Sequence, residues 1–233
     1  MSEPFPTLLV PGLLCSPRLY GPQIAPLWRI GPVTVANHTR DASMADIARR
    51  ILAHAPPRFH LAGLSMGGYI AFEILRQAAD RVERLALLDT GARPEVSEQT
   101  ERRRALIELA RTKGLAAVND FLFPFLVHKS RQADKSLRAI VDSMTEEVGV
   151  EAFVRQQAAI MGRPDSRPDL PSIRSPTLVV VGDSDRLTPL EFAQEIAENI
   201  PGARLEIIAE CGHLSTLEAP DAVNRLLAGW FAS

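Results

Sequence analysis

Ser65 stands between glycines in Gly63-Leu64-Ser65-Met66-Gly67, with another glycine at position 68, where an apolar stretch (FHLAGL) gives way to a helical pattern (MGGYIAFEILRQAA). A serine hydroxyl is a poor nucleophile until a base takes its proton, and the base must itself be held in one tautomer by an acid. The chain downstream offers both. His213 lies in ECGHLSTLEAP, just past the last apolar run, and acids stand at the ends of two earlier runs: Asp89 in LALLDT, and Asp183 and Asp185 in VVVGDSDRLTP. Serine, acid and histidine in that order would support acyl transfer through a covalent intermediate on Ser65.

The glycines carry part of the argument. A strand that turns at once into a helix forces its apex residue into a strained conformation, and the neighbours must lack bulk for the turn to close. Of the five histidines, His213 alone falls on a loop between a late strand and a final helix. His38 ends a strand, His54 closes an amphipathic helix, His60 is inside a strand and His128 is in a helical stretch, all ordinary structural places. Among the acids, Asp185 is the first choice because it lies further into its loop, three residues before a helix opened by Pro189. Asp183 reads as a turn residue. Asp89 reads as a structural acceptor or an alternative acid.

These residues need elements that bring them to one place. The first half alternates short apolar runs with helical patterns: TLLV (7–10), RLYGPQIAPL, VTVAN (33–37), SMADIARRILAHA with Ser43 as its N-cap, FHLAGL, the helix after Ser65, and RLALLDT (84–90). Strands separated by helices imply crossovers and a parallel sheet, and in such sheets functional groups collect at the carboxyl ends of strands. The alternation stops near Pro94, and four helical patterns follow until about Asp169. It resumes with TLVVVGDSD (177–185), LEFAQEIAENI, ARLEIIAE (203–210) and DAVNRLLAGWFA. The expected architecture is α/β: a mostly parallel, doubly wound sheet of about six strands, with residues 1–94 and 170–233 as the core and 95–169 as an inserted helical cap between proline-rich joins.

Composition excludes other classes. The 233 residues carry a net charge of −2, 46% hydrophobic and 23% charged residues, values of an ordinary globular chain without a basic field for nucleic acid. Arg102-Arg103-Arg104 lies among glutamates and reads as a solvated helix face. The opening MSEPFPTLLVPGLL is acidic where a signal peptide would be basic, and no run approaches the roughly 20 apolar residues of a membrane span. Cys15 and Cys211 are too few for a disulfide framework and lack metal-ligand spacing. A reducing, cytoplasmic setting is the expectation.

With these residues in place, the chain resembles the α/β-hydrolases over nearly its whole length: VPGLLCS is similar to their first loop, GLSMGG to the nucleophile elbow, GDSDRLTP to the acid loop and CGHLSTLEAP to the histidine loop. The resemblance implies an oxyanion hole of two backbone amides, here Leu13 and Met66, and no metal or organic cofactor. It departs from many members in having Pro11-Gly12 where they carry His-Gly. Only six residues precede the first parallel strand, so the antiparallel strands that open the full fold are expected to be missing. Serine at the elbow argues against the dehalogenase and epoxide-hydrolase branches, which use aspartate. The short lid-bearing esterases and enol-lactonases are the nearest branch, with a small-molecule ester or lactone as substrate. The same triad also serves acyltransferases, perhydrolases and carbon–carbon hydrolases, and the same scaffold serves non-enzymatic or slow-turnover ligand receptors. No nucleic-acid or membrane partner is implied, and no oligomeric state is assigned.

Selectivity is expected from the cap, where NDFLFPFLV places Phe121, Phe123 and Phe125 around Pro124. Some rings should line the site and others fill the cap, giving a small to medium apolar substrate. Leu14 and Leu187 are further candidates for substrate contact. Arg163 could meet an acidic substrate, or tie the cap to the sheet, which is the preferred reading.

Overall fold

The computed structural model describes residues 5–232. Six strands, β1 (Thr7–Val10), β2 (Val33–Val35), β3 (Phe59–Leu64), β4 (Val82–Leu88), β5 (Thr177–Gly182) and β6 (Arg204–Ile208), form one sheet in the order β2-β1-β3-β4-β5-β6. Every pairing is parallel.

The central strands are apolar on both faces because both are covered. Leu8, Leu61, Leu85, Leu87, Val179 and Val181 point into one core with Ile47 and Ile51 of α2 (Met44–His54), Ile70 and Ile74 of α3 (Met66–Ala78) and Ile196 of α7 (Leu190–Asn199). Their neighbours Leu9, Ala62, Ala86, Leu88, Leu178 and Val180 point the other way, against Leu27 of α1 (Gly21–Trp28) and Val223, Leu227 and Phe231 of α9 (Pro220–Ala232). The period-two alternation thus feeds two separate cores. Ser43 caps α2, its hydroxyl accepting from the Asp46 amide at 3.1 Å. His60 stacks on Phe231 with centroids 4.9 Å apart, inside the second core.

Between β4 and β5 the chain makes three helices instead of a single crossover: α4 (Ser97–Lys113), α5 (Leu115–Leu126) and α6 (Lys135–Met161). The sequence pattern separates two helices near Gly149, and the structure joins them in one run broken there, where Gly149 takes φ 77°. A third apolar cluster of Leu14, Leu106, Ala110, Val118 and Phe153 seats this insertion on the loop after β1. On the first half of α6, Leu137, Val141 and Met144 are buried while Ile140 is exposed. The base of the insertion is clasped by Glu95, which holds Arg103 from α4 and Arg163 from just beyond α6 in ion pairs. Among the described residues no helix is long and apolar enough to cross a membrane.

Candidate active site

The elbow forms because β3 meets α3 without a connecting residue other than Ser65, which sits at φ 56°, ψ −116°. A Cβ at Gly63 would strike the backbone of Gly67 and Gly68, and one at Gly67 would strike the carbonyl of Val10. Only glycine fits on either side. The strained turn is held from β4, where the Leu88 carbonyl accepts the Ser65 amide at 3.0 Å and the Thr90 hydroxyl donates to the Ser65 carbonyl at 2.8 Å. Four non-glycine residues have positive φ among those described: Leu14, Ser65, Asp89 and Glu210. The first three follow the carboxyl ends of β1, β3 and β4, and Glu210 follows β6, so the backbone strain is gathered at one edge of the sheet.

Asp185 and His213 arrive at this edge from the loops after β5 and β6. Asp185 Oδ1 accepts the amides of Leu187 (2.8 Å) and Thr188 (3.0 Å), which aims Oδ2 at His213 Nδ1, 2.8 Å away. The Thr188 hydroxyl donates to the same Oδ2 at 2.6 Å. Asp183, as a turn residue would, accepts the amides of Glu210 (3.1 Å) and Cys211 (3.4 Å) and so ties the acid loop to the histidine loop. Glu218 pins that loop from the other side, taking the amides of Gly212 at 3.0 Å and His128 at 2.7 Å. The Leu126 carbonyl, where α5 ends, accepts the His213 amide at 3.0 Å.

Asp89 is fully buried and serves a different geometry. Its Oδ1 accepts the Gly182 amide at 3.0 Å, and its Oδ2 accepts the Ser215 hydroxyl. Burial, and next the charge of Asp185, push the Asp89 pKa up to about 8. Burial pulls the same way on Asp185, but the His213 charge and the bonds it accepts hold its carboxyl below the usual range. Burial disfavours protonation of His213, and the Asp185 charge and hydrogen bond, helped by Asp89 and Glu218, outweigh it so that its pKa lies above the ordinary value.

Ser65 and His213 open on one cavity of about 270 Å3. Leu13, Leu14 and Leu187 line it, as do Phe121 and Phe125. Met66 has its side chain buried, and as the first residue of α3 its amide has no partner within the helix. Phe123 corrects the expectation of a substrate contact: it is 4% exposed and packs in the sheet-side core, away from the cavity. The reason is helical geometry, since Phe121 and Phe125 are four residues apart on one face and Phe123 is turned to the other. Arg102 and Arg103 also correct the reading of a purely solvated run, because both reach the cavity wall. Arg163 lines it too, but its guanidinium is spent on Glu95 and on the carbonyls of Arg93 and Ile160, both at 3.0 Å.

Other wall residues were not anticipated. Tyr69 lies one helical turn after Ser65, so a spacing of four carried a signal for it. Asn119, Met144 and Thr145 come from α5 and α6, and only the docking of those helices brings them to Ser65. Among the described residues no group of three or more histidines, cysteines or acids is placed to hold a metal ion.

Residues 8–226 match the sequence profile of the alpha/beta hydrolase family. The chain belongs to that family. Among curated relatives, the chain is 28% identical over 203 residues to the 2-hydroxy-6-oxononadienedioate/2-hydroxy-6-oxononatrienedioate hydrolase of Escherichia coli strain K12, a match covering 82% of this chain and 69% of the relative. Among solved structures it is similar to a thermophilic esterase from Thermogutta terrifontis, at 29% identity and a TM-score of 0.88, covering 99% of this chain and 90% of the other. The enol-lactonase from Burkholderia xenovorans LB400 superposes with a TM-score of 0.87 over 100% of this chain and 93% of its own, and at 24% identity it speaks to the fold alone.

Proposed function

We propose that this hydrolase cleaves a carboxylic ester or lactone of a small molecule through an acyl-enzyme on Ser65. The observation that carries the reading is the buried Asp185–His213 pair, joined at 2.8 Å, opening on the same cavity as a serine held at positive φ. With Nδ1 bonded to Asp185, His213 takes the Ser65 proton at Nε2 as Oγ attacks the carbonyl carbon. The oxyanion that forms is received by the amides of Leu13 and Met66, and each such donor is worth about 2.7–4 kcal/mol where it has been measured. His213 then returns the proton to the departing alcohol, and the same base draws a proton from the water that releases the acid.

The insertion, residues 95–169, acts in this reading as a lid that selects the substrate. Its cavity wall is apolar at Leu106, Phe121, Leu122, Phe125, Val141 and Met144. A second reading, hydrolysis of a carbon–carbon bond in an acidic substrate, has two observations in its favour: the activity named for the Escherichia coli relative, and a wall without a carboxylate that carries Arg102 and Arg186 besides the Glu95-paired Arg103 and Arg163. Turnover of p-nitrophenyl butyrate set against turnover of the relative's dienedioate separates the two. Ser65→Ala tests the common mechanism. The folded variant should lose about 10⁴- to 10⁶-fold in kcat, and near-normal turnover would overturn the assignment.

A further inference from the structure

We propose that Gln156 and His38 form a buried brace that holds the oxyanion loop, residues 11–14, and that this brace itself, rather than the overall seating of α6, sets the reach of the Leu13 amide. Gln156 is then a positioning residue for chemistry at Ser65, and the inference rests on the serine-hydrolase reading above. Its bonds land on both neighbours of Leu13. The Leu14 amide donates to Gln156 Oε1 at 3.1 Å, which turns the Gln156 Nε2 toward His38 Nε2, 3.0 Å away. The same ring nitrogen lies 2.9 Å from the Gly12 carbonyl.

The loop needs such a partner. Leu14 sits at φ 58°, a conformation that non-glycine residues adopt only when their surroundings enforce it. Gln156 is 0% exposed and His38 2%, so neither finds water instead. One residue earlier on α6, Arg155 Nε donates to the Thr39 carbonyl at 3.0 Å. Beyond its break at Gly149, α6 is therefore stitched to the loops after β1 and β2 together. Burial drives the His38 pKa down to about 4, so the ring is neutral where His213 works as a base. As the Nε2–H tautomer it donates to Gly12, and as the Nδ1–H tautomer it accepts from Gln156. Both leave the Leu14 bond in place.

The physical consequence is a geometric coupling. A donor displaced by about 1 Å from a reacting group can lower the rate about 100-fold. A helix from the insertion thus fixes an amide that the sheet loop alone leaves free to shift.

Gln156→Met keeps the length of the side chain and removes its strong donor and acceptor. In the folded variant kcat on p-nitrophenyl butyrate should fall about 10- to 100-fold with KM little changed. The inhibition constant of a boronic acid, which mimics the tetrahedral adduct, should rise by the same factor as kcat/KM falls. Gln156→Glu, whose carboxyl oxygen can still accept from Leu14, should recover most of the loss. Arg155→Ala loosens the same joint without touching residues 11–14, and should lower the melting temperature while leaving kcat unchanged. Wild-type kcat in folded Gln156→Met overturns the brace. An equal kcat loss in Arg155→Ala also overturns it, since joint stability would then set the rate. Should Gln156→Met not fold, His38→Leu removes the ring that faces both the Gly12 carbonyl and Gln156 Nε2 while sparing the bond to Leu14, and unchanged kcat and boronate affinity there overturn the proposal. Turnover surviving in Ser65→Ala would instead mark failure of the underlying serine mechanism.

Discussion

On the sheet side of the cavity, Ser65, Asp185 and His213 come from three turns and loops fixed by hydrogen bonds to residues a few positions away or just past the next strand: Thr90 to Ser65, the Leu187 and Thr188 amides to Asp185, and Glu218 to Gly212. On the helical side, Phe121, Phe125 and Met144 have no such fixtures, and they reach the cavity because α5 and α6 pack over it. Reacting atoms tolerate little displacement, so their loops carry strain and dense hydrogen bonding. A wall that discriminates by shape needs only apolar bulk in the right place. The two sides should therefore fail differently when altered.

The largest effect is expected at the acid. Asp185→Asn should lower kcat about 10⁴-fold in a folded protein, because the amide cannot stabilise the imidazolium and favours the wrong tautomer. Wild-type kcat/KM should rise with pH through a midpoint above the ordinary histidine value of about 6.5, since the raised His213 pKa delays formation of the neutral base. In the variant the midpoint should move down, as burial persists and the anion that opposed it is gone. A larger loss in Asp89→Asn than in Asp185→Asn would move the acid to the end of β4.

Two rings of α5 sharpen the comparison next. Phe123→Ala should cost about 3–5 kcal/mol in stability, read by denaturant titration, with the preference among acyl chains unchanged. Phe125→Ala should leave melting almost unaltered and shift the chain-length optimum, each methylene contact being worth about 1–3 kcal/mol in discrimination. Equal preference for acetate and octanoate esters in both variants would mean that this face of α5 does not select substrate.

The smallest effect on turnover is expected at Asp89, where the readout is stability. Its folded pKa of about 8 lies above the value of about 3.9 expected when unfolded, so the folded state binds the extra proton and this group's contribution to stability falls as pH rises from about 4 to 8. Asparagine cannot titrate. The melting temperature of Asp89→Asn relative to wild type should therefore climb as pH rises over that range. A difference that stays flat with pH would show that Asp89 does not titrate there.

Local pattern was enough for the six strands and their parallel order of use, for the Ser65 elbow and for the placement of Asp185 and His213 on neighbouring loops. Each of these depends on periodicity and on glycine at fixed offsets, which are properties of a few consecutive residues. Local pattern also marked the stretch from about Pro94 to Asp169 as helical, because the alternation of strand and helix stops there, and α4, α5 and α6 fall within it. Tertiary structure alone decided which α5 ring faces the cavity, for the phase of a helix about its axis is set by what it packs against. It alone turned His38 from an unremarkable strand-end histidine into a neighbour of Gly12, and brought Gln156 to Leu14 across 142 positions. It alone made Asp89 a buried acceptor for Gly182 and Ser215 and left Asp185 to meet the histidine. The physical reason is common to all of these: a side chain's type announces what it can bond, and only the packing of distant segments supplies the partner.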